Sequence, residues 1–375
     1  MVRRLLKDFR FGVIPVPGRV IAVVFFLFLY LFPVISGHDL YMRMFTFASI
    51  FAIFAVSWDL LSGYTGLVNF GHALFFGVAA YTTALLNKFL GWPPSVTIPL
   101  AVLAAVIAGV ATCFPALRLR GSYLALLTLA FPLMLLGIVM FFKEYTGAEY
   151  GIPGLPPIGG SEREQYYICL IAMTASVLIM WKLTDAGSKY VRTGLIFHAI
   201  REDEIAARAT GINTIRYKIL AFVIGGFFAG LAGALYTHVR GIASISSLNL
   251  TMSFQAIIWV LFGGAVTIYG GVVGVYILYP LVFLSRRVEN FFSTMENALP
   301  KVPATVPLAK ILEFLHELAG RPYLVLAVIV ILILIFMPEG IAVWIRDKME
   351  RECPRCKLSN AAWRKECRAC SASLH

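Results

Sequence analysis

Residues 57–86 read SWDLLSGYTGLVNFGHALFFGVAAYTTALL. The stretch is too apolar to sit in water, yet it carries Asp59, Asn69 and His72 and is interrupted by Gly63, Gly66, Gly71 and Gly77. A plain lipid-facing helix needs none of these. Its setting decides the solvent. Hydrophobic residues make up 59% of the chain and charged residues 14%, with a mean hydropathy of +0.82. A soluble protein of 375 residues has no way to bury that much apolar surface, so the fold class expected is an all-α integral membrane protein.

Apolar segments recur at about the length of a bilayer span, on the order of 20 residues. Ten are expected, near 20–36, 44–61, 67–87, 95–117, 122–142, 165–184, 219–237, 253–269, 271–285 and 323–345, the least distinct division falling at Gly270-Gly271. The basic start MVRRLLKDFRFGVIPVPGR precedes an apolar run without a small-residue cleavage site, so the first span is expected to be retained. The division expected is a cytoplasmic segment 1–19, a transmembrane domain 20–345 and a cytoplasmic tail 346–375.

Positive charge sets the orientation. Arg3, Arg4, Lys7 and Arg10 lie before the first span, Arg118 and Arg120 between the fourth and fifth, and Lys189, Arg192, Arg201, Arg208, Arg216 and Lys218 between the sixth and seventh. The opposing loop 143–164 is acidic, with Glu144, Glu149, Glu162 and Glu164. Both termini are therefore expected in the cytoplasm, as ten spans require. Residues 286–322 disagree, being basic yet assigned outside. Within them Leu308, Ile311, Leu312 and Leu315 share one helical face, which reads as an interfacial helix. The net charge of +12 follows mostly from orientation. The basic residues are spread over loops without an aromatic platform, so nucleic-acid binding is not expected.

Enzyme motifs are missing. Gly187-Ser188-Lys189 is not a phosphate-binding loop, and His316-Glu317 has no second His at zinc-protease spacing. Acids within the spans are nearly absent, which argues against a carboxylate proton relay. The chain reads as a conduit that does not fuel itself. In the opening stretch, small residues allow close backbone approach, and breaks at glycine free backbone groups that can line a cavity. Asn69 and His72, three apart, would share a helical face and, with Gly66 and Gly71, line a polar path; the alternative is interhelical hydrogen bonding. A charged Asp59 at mid-membrane would cost roughly 2.5–3.5 kcal/mol, so it is expected to reach interfacial water or cap the turn at Ser62-Gly63. Residues 194–236 begin with a charged stretch, AIREDEIAARATG, and continue into a span with Gly225, Gly226, Gly230 and Gly233. A short cytoplasmic helix there would present a charged knob to another protein, or simply a solvated loop.

Several segments in order resemble the LivM-type permeases of branched-chain amino-acid ABC importers. They are GYTGLVNFGHALFFGVAAYT, LRLRGSYLALLTLAF, YGIPGLPPIGG, AIREDEIAARATGINTIRYKILAF with GGFFAGLAGALY, and VLFGGAVTIYGGVVG. Together they cover about residues 40–345. The resemblance implies a permease subunit for branched-chain or other small amino acids in the cell membrane. Its partners would be separate ABC ATPase subunits, a second homologous permease and an extracytoplasmic substrate-binding protein. It also implies that residues near 201–213 form the coupling helix, with Arg201, Glu202, Asp203, Glu204 and Gly211 as docking candidates. Two positions depart from the family pattern: Asp59 stands where many relatives carry Asn, and Ile205 occupies the acid position of the coupling-loop consensus. Urea or amide uptake by the same architecture, and a membrane adaptor without transport, are the alternative readings.

The tail ECPRCKLSNAAWRKECRAC places Cys353, Cys356, Cys367 and Cys370 at C-x2-C-x10-C-x2-C spacing. Two such knuckles make a tetrahedral sulfur site for a structural zinc ion, and a reducing cytoplasm disfavours the alternative of disulfides. The spacing resembles zinc fingers of the Ran-binding-protein type, although Arg351 stands where their preceding Trp would be. Trp363 is expected to pack on a knuckle. The tail lies outside the LivM pattern; stabilisation, docking and redox sensing are its open roles.

Overall fold

The computed structural model describes residues 17–119, 121–185, 192–298, 322–354, 359–364, 366, 367, 370 and 373. Its helices are α1 Pro17–Ile35, α2 Asp39–Trp58, α3 Ala73–Leu90, α4 Pro94–Ala116, α5 Ser122–Phe141, α6 Glu162–Thr184, α7 Thr193–Glu202, α8 Glu204–Ala209, α9 Thr214–Arg240, α10 Leu250–Gly263, α11 Ile268–Ala298, α12 Pro322–Phe336 and α13 Ile341–Met349. Two strand pairs complete it: β1 Ile152–Pro153 with β2 Ile242–Ala243, and β3 Glu350–Glu352 with β4 Ser359–Ala361. Seven described stretches are long and apolar enough to cross a membrane, one of them, Ala327–Met349, taking in parts of both α12 and α13, and the bent pair α10–α11 makes an eighth if counted as one span. The shorter apolar Val20–Ile35 adds to these. The chain is a multi-pass helical membrane protein.

Helix α2 is the centre. After Arg43 its sequence holds no charge and no glycine, and small Ala48, Ala52 and Ala55 alternate with Ile and Phe so that neighbours approach on every side. Fourteen of its 20 residues are buried, as a helix apolar all round requires. It packs against α6, α9 and α11. A second layer joins α3, α4 and α9 through glycines: Gly226 and Gly230 of α9 meet Ala105 and Val102 of α4, and Gly233 lies on the Phe76 carbonyl of α3. Outward positions on α4, α5 and α12 carry Leu103, Ile107, Leu126, Met134, Ile331 and Ile335, side chains that need lipid rather than water.

Helix ends follow local chemistry. Pro94 opens α4 at a position where the amide has no helical partner anyway. Ser161 caps α6 by accepting from Glu164 N at 3.2 Å while Glu164 accepts from Gly160 N at 2.7 Å. At one end of the bundle, β1 and β2 clamp the loop after α5 to the end of α9. Leu155 N donates to Gly241 O at 3.2 Å and His238 Nδ1 lies 2.7 Å from Pro156 O.

Two expectations shift, and a third falls outside the described residues. The division expected at Gly270-Gly271 lies earlier, at residues 264–267, where the pair bends by 108°. Gly264 and Val266, at φ of 123° and 61°, turn the chain out of the helix there. Helix α11 continues to Ala298, beyond the expected end near 285, because no Gly or Pro interrupts residues 286–298. The interfacial helix expected on Leu308, Ile311, Leu312 and Leu315 lies outside the described residues.

Candidate transport and coupling site

Two interrupted helices meet beside α7. The first interruption runs from the π-helical turn Asp59–Gly63, which ends α2, through residues 64–72 to the start of α3. The second is residues 264–267 between α10 and α11. Asp59 joins them: its Oδ1 accepts from Val266 N at 2.8 Å. Asp59 is 0% exposed, so the expectation that it reaches interfacial water is corrected. The turn continues past it and packs against α9 and α11; what the carboxylate caps is the backbone of the other interruption.

Asn69 and His72 do lie side by side, with Asn69 Nδ2 3.5 Å from His72 Nδ1. They do so on the irregular segment that precedes α3, not on a helical face. Both are buried, and their other polar atoms are engaged. Asn69 Oδ1 accepts from Gly71 N at 2.8 Å, Asn69 O accepts from Trp58 Nε1 at 2.7 Å, and His72 Nε2 pairs with Ser57 Oγ at 2.8 Å. Further bonds replace the helical ladder missing here: Phe70 N donates to Thr128 Oγ1 at 3.1 Å and Ala73 N to Ser253 Oγ at 2.9 Å. Gly71 has to be glycine, because a Cβ there would collide with the Thr128 carbonyl of α5. Gly66 instead faces Arg201 of α7.

The charged stretch folds as two short helices broken at Asp203. Asp203 caps α8, its Oδ1 accepting from Ile205 N at 2.8 Å and Ala206 N at 3.0 Å. Glu204 faces inward to Arg208 at 2.5 Å, Lys218 Nζ at 2.8 Å and Thr214 Oγ1 at 3.2 Å. Burial alone would raise the Glu204 carboxyl pKa, but the bonds from Lys218 and Arg208 outweigh it and hold it below the ordinary carboxylate range. Gly211 ends α8 in the left-handed conformation. Arg201, Glu202 and Asp203 are exposed, and only Glu204 of the charged group is partly buried. Sequence reading passed over an apolar knob beside them: Ile205 is 70% exposed at the tip of α8, and its place in the acid position of a consensus was the available signal. His198 of α7 lies against Tyr64, ring centroids 5.4 Å apart. Burial, then Arg201, lowers the His198 pKa against an opposing effect of Glu202.

In the tail, the Sγ atoms of Cys353, Cys367 and Cys370 all lie within 4.8 Å of one another, Cys353 and Cys370 at 3.4 Å. Thiolates around one tetrahedral zinc at 2.3 Å would stand roughly 3.7 Å apart, so the donor set fits such an ion. Asn360 Nδ2 points at Cys367 Sγ at 3.6 Å, and the β3–β4 hairpin carries the group. Cys356 lies outside the described residues. Trp363 is 73% exposed, against the expectation that it packs on a knuckle.

Discontinuous helices beside a short helix pair, within a bundle whose outward side chains are apolar, define a multi-pass membrane protein. The family described as branched-chain amino acid transport system / permease component matches residues 40–337, and the chain belongs to that family. The permease protein LivM of the high-affinity branched-chain amino acid transport system of Salmonella typhimurium is 30% identical over 277 residues, covering 66% of this chain and 63% of the relative. A probable branched-chain amino acid transport permease protein LivM of Methanocaldococcus jannaschii is 22% identical over 340 residues, covering 81% and 93%. The guanosine ABC transporter permease protein NupQ of Bacillus subtilis is 25% identical over 258 residues, covering 62% and 80%. The match to the Salmonella protein thus spans less than two thirds of its length. Kinship and apolar helices together make this a multi-pass protein of the cytoplasmic membrane.

Proposed function

We propose that this chain is the permease subunit of an ATP-driven importer for branched-chain or other small amino acids. The family match across residues 40–337 carries the reading. In this reading the chain crosses the membrane ten times with both termini in the cytoplasm, α10 and α11 counting separately. Residues 1–19 and 346–375 flank a transmembrane domain at 20–345. ABC ATPase subunits dock on α7 and α8, where Arg201, Glu202 and Ile205 are exposed and Asp203, Glu204 and Gly211 hold the shape. A second, homologous permease completes the path, and an extracytoplasmic binding protein delivers substrate. ATP shifts the permease between conformations because its subunits bind the two differently.

The path runs along the first interruption, bounded by Gly66, Asn69, Gly71 and His72. Its support is that non-helical backbone inside a membrane bundle belongs where a cavity opens in some state. In the conformation described, internal hydrogen bonds close it. Cys353, Cys356, Cys367 and Cys370 hold a structural zinc ion in a closed site, which gives the tail a fold and leaves no open position for catalysis.

The test is uptake by proteoliposomes holding this permease, a second permease, the ATPases and the binding protein. Labelled leucine, isoleucine and valine should enter with ATP hydrolysis, competed by each other and not by urea or amides. The relative named as a guanosine permease favours a second reading, nucleoside import. Guanosine uptake without leucine uptake would establish it; neither, with the complex assembled, would refute the importer assignment.

A further inference from the structure

We propose that Asp59 is a positioning residue that pins the two helix interruptions to each other and passes movement of α7 to the second of them. The inference rests on the permease reading above. Asp59 Oδ1 accepts from Val266 N at 2.8 Å, and the Thr267 amide also points at the carboxylate. Helix α11 begins at Ile268, so a side chain more than two hundred residues earlier supplies the acceptor that the start of this helix needs. Val266 sits at φ 61°, a conformation that a β-branched residue keeps only where its surroundings impose it. The carboxylate is that surrounding.

The other oxygen is in reserve. Asp59 Oδ2 and the nearby Ser62 Oγ are buried without hydrogen-bond partners among the described residues. A residue selected for packing alone would not leave such an acceptor unsatisfied. Arg201, whose stem lies on Gly66, is a charge that acts on the carboxylate without bonding it. Tyr64 runs parallel to this link. Its ring meets His198 of α7, and its hydroxyl reaches the Ile268 backbone and Thr184. When a docked ATPase presses α7 toward the bundle, Arg201 approaches Oδ2. The pull on Asp59 then reaches Val266 and changes the angle between α10 and α11.

The experiment measures substrate moved per ATP hydrolysed by the complete reconstituted complex. Asp59→Leu keeps the branching and the number of heavy atoms and removes both oxygens. ATP hydrolysis should persist while transport per ATP falls about tenfold or more, within the span of ordinary coupling free energies. Asp59→Asn keeps an acceptor for Val266 N without the charge, so it should fall in between, and Arg201→Gln, whatever it costs docking and total ATP hydrolysis, should lower substrate moved per ATP no further in that background. A wild-type ratio in Asp59→Leu, or additive losses from Asp59→Asn and Arg201→Gln, would overturn the pin. If Asp59→Leu does not accumulate, the additivity of the other pair decides. A wild-type complex that hydrolyses ATP but moves no substrate would instead refute the permease reading, and this inference with it.

Discussion

Glu204 and Glu202 look interchangeable in the sequence, yet the structure predicts opposite consequences for losing their charge. Glu202 is exposed, so Glu202→Gln should change stability by no more than about 0.5 kcal/mol. Glu204 binds Lys218, and their side chains are only 19% and 11% exposed. Removing one partner of a fully buried pair costs roughly 3–5 kcal/mol. Partial exposure and the retained amide oxygen of Glu204→Gln bring this to about 2 kcal/mol. At 1.4 kcal/mol per factor of ten, the open population of α8 rises about 30-fold. Amide hydrogen exchange of the full chain in nanodiscs reads this directly, as about 30-fold faster exchange confined to α8 and the start of α9. Adding Lys218→Met removes the orphaned cation and should restore most of the protection. Equal exchange in the two Gln variants would refute the reasoning. Acidity provides a second check. Because the folded Glu204 pKa is depressed, its contribution is present above the unfolded carboxylate pKa and is lost as pH falls through the lower, folded one. Protection of α8 should therefore be constant from pH 7 to about 5 and fail only below the ordinary carboxylate range.

Asn69→Leu with His72→Leu should reduce uptake further than membrane abundance; a proportional fall would make these packing residues only. Ser57→Ala leaves His72 Nε2 without its described partner and should cost about 1–3 kcal/mol, read as a lower midpoint in thermal unfolding. The full chain should copurify with one zinc per molecule and show thiolate-to-cobalt bands on substitution, with Cys353→Ser greatly weakening both. Unmetallated protein whose tail thiols all alkylate under reducing conditions would contradict the zinc assignment.

The membrane class was legible from composition, because no folded soluble surface hides so much apolar area. So was the unusual character of residues 57–86, since glycines and polar groups interrupt an otherwise apolar segment. The form of that segment was not legible. Hydropathy has no term for hydrogen bonds between distant elements, and the bonds from Phe70 to Thr128 and from Ala73 to Ser253 hold residues 64–72 out of a helix. Asp59 was misread for the same reason. Sequence gives the cost of burying a carboxylate but not the location of a donor such as Val266 N. In the charged loop, Asp203 was read only as a docking candidate although it caps α8, and the role of Glu204 required knowledge that α9 returns Lys218 to it.

The second interruption also receives the end of the membrane domain, and this gives the last prediction. After α12 the chain turns through residues 337–340, with Gly340 N donating to Met337 O at 2.9 Å. Gly340 holds φ 88°, and a Cβ on it would strike the backbone of Gly263 and Gly264. Val343 of α13 lies over Gly264 from the other side. Helix α13 runs directly into β3, and Ala362 N donates to Met349 O at 2.8 Å, so one short helix connects the cysteine hairpin to the bend between α10 and α11. Gly340→Ala combines a left-handed residue, about 1–2 kcal/mol, with overpacking of about 1–3 kcal/mol. Gly137→Ala is the matched control: it lies within α5 with open space around it and should be neutral or slightly stabilising. Gly340→Ala should lower uptake per molecule of permease in the membrane, because the strain is placed on the joint that Asp59 holds from the opposite side. If it transports and accumulates like Gly137→Ala, the turn at 340 is not in mechanical contact with the bend. Order in the cysteine tail would then have no route into the transport path.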